Sequence, residues 1–247
     1  MSGLLAGKRA LVTGGTRGIG LALCQGLAAC GARVAFSYLR NQEAAERTRA
    51  AVAAAGGEGR GYQVSVLDSA GTEAMVADLE RAWGGLDVLV NNAGVTQNLP
   101  LALLEEEDFD HVMDTNVKGV FLTSKAVLRG MMRRKSGVIL NIGSLAGVRM
   151  MEAPIHYCAS KAALTGLTAA LAKEVARHGV RVLCLAPGLL EDGMGRSLPD
   201  YRLRDYLQHN ALGRLGSCEE VARFAAFLVS EKNTYMTGAT VVMDGGV

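Results

Sequence analysis

Apolar positions along the chain fall into two patterns that alternate from one end to the other. Short runs, mostly apolar with little polar alternation, occur at Arg9–Thr13, Arg33–Tyr38, Gly61–Val66, Leu86–Asn91, Val138–Ile142, Arg181–Ala186 and Thr240–Met243. Such runs predict strands covered on both faces, because a strand with one wet face would alternate. Between them lie longer stretches with helical spacing. Gln42–Ala55 is rich in Ala, Glu and Arg, and Ala70–Arg81 places Met75, Leu79 and the following Ala82 on one face. Gly31, Gly56-Gly57 and Gly84-Gly85 stand where successive helices should stop. Strands alternating with helices predict repeated βαβ units: an α/β chain with a doubly wound parallel sheet of about seven strands and helices on both faces. There is no Pro/Ser-rich linker and no internal repeat, so residues 1–247 read as one domain.

Composition narrows the class. The chain has 247 residues, 49% of them hydrophobic and 20% charged, which is globular rather than disordered usage. The 26 basic side chains against 24 acidic leave a formal net charge of +2, which argues against a nucleic-acid-binding surface over the whole molecule. No run approaches the ~18 apolar residues of a spanning helix, and the start Met1-Ser2-Gly3-Leu4-Leu5 lacks an export signal, so a cytoplasmic location is expected. The five cysteines (Cys24, Cys30, Cys158, Cys184, Cys218) are scattered without metal-ligand or disulfide spacing. No metal site is expected.

The first strand runs into Thr13-Gly14-Gly15-Thr16-Arg17-Gly18-Ile19-Gly20 and then a helix. A strand, a tight glycine turn and a helix N-terminus together present free N–H groups and a positive dipole end to a pyrophosphate. The sheet is therefore read as Rossmann-type. Dinucleotide folds hold the ribose 2′-hydroxyl with an acidic residue at the end of the second strand, or a 2′-phosphate with a basic one. Here that stretch is Phe36-Ser37-Tyr38-Leu39-Arg40-Asn41, with no carboxylate. Arg17 and Arg40 predict NADP(H) as the cofactor.

Candidate chemistry follows the later strands: Asn91-Asn92-Ala93-Gly94, then Asn116 in Thr115-Asn116-Val117-Lys118-Gly119, then Ser144, then Tyr157-Cys158-Ala159-Ser160-Lys161. Tyr157 and Lys161 share a helical face. A nearby ammonium favours the phenolate, which would bring a phenol of ordinary pKa ~10 closer to neutral pH.

From about Gly7 to Gly246 the chain resembles the short-chain dehydrogenase/reductase family. The resemblance rests on the T-G-x-x-x-G-x-G turn, the N-N-A-G segment, the Asn116, Ser144, Tyr157 and Lys161 tetrad, the Pro187-Gly188 turn and the closing Asp244-Gly245-Gly246. It implies Tyr157 as general acid for a carbonyl receiving hydride, Ser144 as hydrogen-bond partner of that carbonyl, and Lys161 lowering the Tyr157 pKa while holding the nicotinamide ribose. It implies Asn116, through its backbone carbonyl, in a proton relay. Gly14, Thr16, Arg17, Gly18, Ile19, Gly20, Arg40, Asn92, Ala93, Gly94, Pro187 and Gly188 would contact the cofactor. Two places depart from the pattern. Ser65, with Asp68 three residues on, stands where relatives carry an adenine-contacting Asp, and Asp192 is nearest the place of a nicotinamide-contacting Thr.

Within the family the chain is most similar to 3-oxoacyl-[acyl-carrier-protein] reductases, which implies a β-keto acyl thioester substrate. Other carbonyls or alcohols, and a catalytically silent NADP-binding scaffold, are the alternatives. The basic residues Arg129, Arg133, Arg134, Lys135 and Arg177 suggest docking of an acidic acyl-carrier protein, or else complement helix dipoles. A substrate lid is expected at about 190–212, and Met150 and Met151 are candidates for an acyl pocket or for core. The long helices Glu105–Met131 and Pro154–Arg177 are apolar over more than one face, and the resemblance implies that they pair in a homotetramer.

Overall fold

The computed structural model describes residues 3–192 and 199–247. Among them seven parallel strands form one sheet in the order β3-β2-β1-β4-β5-β6-β7. The strands are β1 (Arg9–Val12), β2 (Arg33–Tyr38), β3 (Gly59–Gln63), β4 (Val88–Asn91), β5 (Gly137–Ile142), β6 (Val180–Pro187) and β7 (Thr240–Met243). The helices are α1 (Gly18–Ala29), α2 (Gln42–Ala54), α3 (Ser69–Trp83), α4 (Glu106–Met113), α5 (Gly119–Arg134), α6 (Ile155–Val175), α7 (Asp200–His209) and α8 (Cys218–Val229).

The two-residue period of the strands divides the core. Val12, Phe36, Val90 and Leu140 point to one face, where they meet Leu23 and Leu27 of α1 and Val221 and Ala225 of α8. Leu11, Ala35, Leu89 and Ile139, each one residue away, point to the other, against Leu79 of α3, Val127 and Met131 of α5 and Val175 of α6. This is why the strand sequences lack alternation: both faces are dry. Strand order reverses between β1 and β4, and the carboxyl ends of the strands at such a switch point are where these sheets bind ligands. At the opposite edge the Arg9 guanidinium grips Asp87 through Nε–Oδ2 and Nη2–Oδ1 contacts of 2.7 Å, tying β1 to the start of β4.

Two elements differ from expectation. β3 covers Gly59–Gln63 rather than Gly61–Val66, because β2, its pairing partner, ends at Tyr38 opposite Gln63. The apolar Val64 and Val66 lie beyond the ladder, and Val66 packs towards Gly119. The stretch expected as one helix from Glu105 to Met131 is instead α4, a single π turn over Asp114–Lys118, and α5, which runs on to Arg134.

Candidate active site

The glycine turn is shaped by close approaches. A Cβ on Gly20 would lie 2.1 Å from the Gly14 carbonyl oxygen and 2.6 Å from Asn92 Nδ2, and one on Gly15 would lie 2.5 Å from Phe36 Cβ. Gly14 has φ +66° and stacks its Cα side on Ala93. The turn and the Asn92-Ala93 segment are clasped together. Thr13 Oγ1 accepts from the backbone N–H of both Asn92 and Ala93 at 3.0 Å, and Asn92 Nδ2 donates to the carbonyls of Thr13 and Gly14 at 3.0 Å.

At the other side of the crevice, β5 delivers Ser144, and α6 presents Tyr157 and Lys161 one turn apart. Both are buried, with 8% and 6% of their surface exposed. Lys161 Nζ donates to the Ile142 carbonyl at 2.8 Å and lies 5.7 Å from the centre of the Tyr157 ring. Burial pushes the Tyr157 phenol up, and the nearby Ser144 hydroxyl only partly opposes it. Burial likewise depresses Lys161, to about 8. Desolvation governs both groups, and the lysine spends a donor on Ile142.

Asn116 sits in the π turn, where Gly119 N–H reaches back five residues to the Asp114 carbonyl. Such turns recur at functional sites because they unsettle the regular carbonyl pairing. The Asn116 side chain is fully engaged: Oδ1 accepts from Val95 N–H at 2.8 Å, and Nδ2 donates to Val95 O at 3.0 Å and to Ser160 Oγ at 2.9 Å. Ser160 Oγ in turn donates to the Tyr157 carbonyl at 2.8 Å. Gly94 lets this group close up, since a Cβ there would stand 3.2 Å from Asn116 Oδ1 and 3.6 Å from Lys161 Nζ. The Asn92–Val95 segment thus lies against the glycine turn on one side and against Asn116 and Lys161 on the other.

A family model described as enoyl-(acyl carrier protein) reductase matches residues 14–247. The chain is 39% identical over 241 residues to the 3-oxoacyl-[acyl-carrier-protein] reductase FabG of Escherichia coli strain K12, covering 98% of this chain and 97% of that protein. The chain belongs to the short-chain dehydrogenase/reductase family. The reductase of the same name from Chlamydia trachomatis is 38% identical over 252 residues, with both chains covered in full. Among solved structures, the short-chain dehydrogenase/reductase of Serratia marcescens BCRC 10948 is similar with a TM-score of 0.91 at 35% identity, covering 98% of each chain. One from Mycobacterium marinum is similar with a TM-score of 0.92 at 35% identity, covering 98% of this chain and 96% of that one. As a family member the chain is a nicotinamide-dependent oxidoreductase.

The residues present fit such a cofactor. The N-cap of α1 is Arg17, with no side-chain cap and no acidic residue in the first turn, so the N–H groups that a pyrophosphate needs are left for it. Arg17 and Arg40 are exposed beside the crevice edge and enter no ion pair among the described residues. Asp68 is the N-cap of α3, its Oδ1 accepting from Gly71 N–H at 2.9 Å, which leaves Ser65 as the nearer candidate for the adenine side. Pro187-Gly188 closes the far end, where a Cβ on Gly188 would lie 2.4 Å from the Tyr206 hydroxyl. Asp192 is exposed.

The expected lid divides in two. Residues 193–198, including Met194 and Leu198, lie outside the described residues. The rest is anchored on the end of β7: Tyr206 Oη donates to the Asp244 carbonyl at 3.2 Å and Asn210 Nδ2 to the same oxygen at 2.8 Å. Met150 is fully exposed and Met151 half-buried, so neither is core.

The basic cluster is elsewhere. Arg133 and Arg134 both pair with Glu80 of α3, at 3.4 and 3.3 Å, and Arg134 also reaches the Leu86 carbonyl ahead of β4. That is the amino edge of the sheet. α5 spans 16 residues, so the cluster stands about 24 Å along the helix from the Asn116 end.

A buried polar network beneath the site was not singled out from sequence. Asn91 Nδ2 donates to Asn141 Oδ1 at 2.9 Å and to Ser124 Oγ at 3.0 Å. Thr123 Oγ1 donates to Asn91 Oδ1 at 2.6 Å, and Asn141 Nδ2 donates to Thr168 Oγ1 at 2.9 Å. The available signal was Asn141 itself, a polar residue inside an otherwise apolar strand, which demands partners.

Proposed function

We propose that the protein reduces a β-keto acyl thioester, of the kind carried by acyl-carrier protein, with NADPH. The observation that carries the reading is the buried Tyr157 beside Ser144. Burial keeps the phenol neutral at physiological pH. It then serves as a proton donor to a carbonyl becoming an alkoxide and is a poor base for the reverse direction. Ser144 adds a second hydrogen bond to the same oxygen. The nicotinamide, when bound, supplies the hydride. Lys161, held by Ile142, keeps its remaining donors for the ribose side, and Asn116, in the π turn, returns the proton through its backbone carbonyl in this reading.

Two arginines, Arg17 and Arg40, support NADPH over NADH, because forked donors match a 2′-phosphate and the usual acidic residue is missing. The curated relatives named for 3-oxoacyl-[acyl-carrier-protein] support the thioester. Carrier docking draws support from Arg129, Lys135 and Arg177, which are exposed, while Arg133 and Arg134 pair with Glu80. Exposed Phe121 on α5 and Phe109 on α4 favour burial of these helices against further copies, as a tetramer would do.

The test is NADPH oxidation with carrier-linked and free acetoacetyl thioesters beside simple ketones and quinones. The reading predicts thioester kcat/KM at least ~100-fold above the best simple ketone, a difference worth roughly 3 kcal/mol. A simple ketone or quinone turned over as well as the thioesters would replace this substrate class. Charge reversal at Arg129 and Arg177 should raise KM only for the carrier-linked substrate.

A further inference from the structure

The first turn of α6 carries Tyr157, yet it is held by none of the usual devices. Its N-cap is Pro154, with no side-chain cap and no acidic residue in the first turn. By contrast α2 and α3 are capped by Asn41 and Asp68, and α4 and α8 by capping boxes. Uncapped first turns fray, and the third residue of this one is the proposed acid.

Next to Tyr157 stands His156, which has no exposed surface and no hydrogen-bond partner on Nδ1 or Nε2. A fully buried imidazole with two unmet nitrogens is costly unless something pairs with it. Two further buried oxygens lacking partners lie in the segment after β4, Thr96 Oγ1 and Gln97 Oε1. The hydrogen bonds place that segment beside the His156 face of α6. Val95 is clasped by Asn116, Asn116 binds Ser160, and Ser160 is one turn along from His156 on the same face. Gln97 Nε2 donates to Asp108 Oδ1 at 2.7 Å, which fixes which way its amide points. Asp108 on α4 is also the charge felt by His156, opposing the burial that keeps the ring neutral.

We propose that His156 is a positioning residue: it closes a chain Asp108–Gln97–His156, one ring N–H reaching Gln97 Oε1 across one water, and so fixes the first turn of α6 under Tyr157. This rests on the reductase reading above. The chain replaces the missing cap, and it links the segment bordering the crevice to the helix that holds the acid. A neutral imidazole suits the task because it offers one donor and one acceptor, and Thr96 Oγ1 is available to the second nitrogen.

The experiment is a double-variant cycle of His156→Leu and Gln97→Leu in the full-length enzyme. It is read by kcat and KM for an acetoacetyl thioester, by NADPH Kd from fluorescence, and by the urea midpoint. His156→Leu should lower kcat about tenfold or more while NADPH Kd stays within about twofold, since a displaced acid harms the reaction rather than nucleotide binding. His156→Gln, which restores a donor and an acceptor, should recover most of that loss. The double variant should be no worse than His156→Leu in kcat or in urea midpoint, because each substitution breaks the same chain. Wild-type kcat in His156→Leu, no recovery in His156→Gln, or losses that combine independently in the double variant would overturn the proposal. If His156→Leu fails to fold, His156→Phe takes its place under the same criteria. If the wild type turns over no carbonyl, the reductase reading falls, and the urea cycle alone still decides whether His156 and Gln97 act together.

Discussion

Lys161 is the residue whose surroundings most constrain its chemistry. It is buried, it donates to the Ile142 carbonyl, and burial brings its pKa from 10.5 to about 8. A lysine whose folded pKa lies below its unfolded one costs stability while both states are charged. That cost is relieved as pH rises between the two values. The stability of wild type relative to Lys161→Met should therefore climb between pH 8 and pH 10.5, by up to about 3 kcal/mol in urea unfolding. A flat difference across that range would mean that the ammonium is solvated. Sequence spacing correctly paired Lys161 with Tyr157 on one face. It could not reveal that desolvation outweighs their mutual attraction, because burial is a property of the packed sheet. Arg17→Ala with Arg40→Ala should weaken NADPH binding about 100-fold and leave NADH within about threefold, since only the phosphate contact is lost. Equal losses for both nucleotides would refute the phosphate assignment.

At the scale of elements, the Ser144 loop packs onto α6 with Gly147 at the tightest of its glycine contacts. A Cβ on Gly147 would lie 2.4 Å from the Lys161 carbonyl carbon and 2.6 Å from the Ala162 nitrogen, both of them backbone atoms that cannot swing away. Gly147→Ala should push the loop off the helix and separate Ser144 from Tyr157, lowering kcat by about 100-fold with nucleotide binding intact. Unchanged kcat would show that the loop has slack. The network beneath the site makes a matching prediction for stability. Asn141→Leu removes one of the two acceptors of Asn91 Nδ2 and the donor to Thr168 Oγ1 in the core, and should cost on the order of 1–3 kcal/mol by urea unfolding. These elements were legible to different degrees. Strands β1, β2, β4, β5 and β6 announce themselves by dry apolar runs, and β7, only half-buried at one edge of the sheet, still reads Thr240-Val241-Val242-Met243. β3, at the other edge, reads Gly59-Arg60-Gly61-Tyr62-Gln63 and has no apolar run to show. The π turn at Asn116 left no mark in the periodicity, because one added residue in a helix shifts the pattern by less than the spacing of its apolar positions resolves.

At the scale of the whole molecule, the parallel order of the sheet decides where chemistry happens. Every βα junction points its loop to the same edge, so the glycine turn after β1, Asn92-Ala93-Gly94 after β4, Ser144 after β5 and Pro187-Gly188 after β6 converge without being neighbours in sequence. That convergence is why four short motifs in order were enough to locate the crevice. The same topology carries the ends of α5 and α6 to the opposite edge, which is why a basic cluster close in sequence to Ser144 is distant from it in space. Periodicity gives the elements, and only the sheet order gives their ends. No helix among the described residues is long and apolar enough to cross a membrane. The central claim, that Tyr157 is the proton donor on a nucleotide crevice, has one direct test: Tyr157→Phe assayed for acetoacetyl thioester turnover and for NADPH binding in the same preparation. The account predicts NADPH Kd within about threefold of wild type and turnover reduced at least ~1000-fold. Turnover close to wild type in a variant that binds NADPH normally would contradict it.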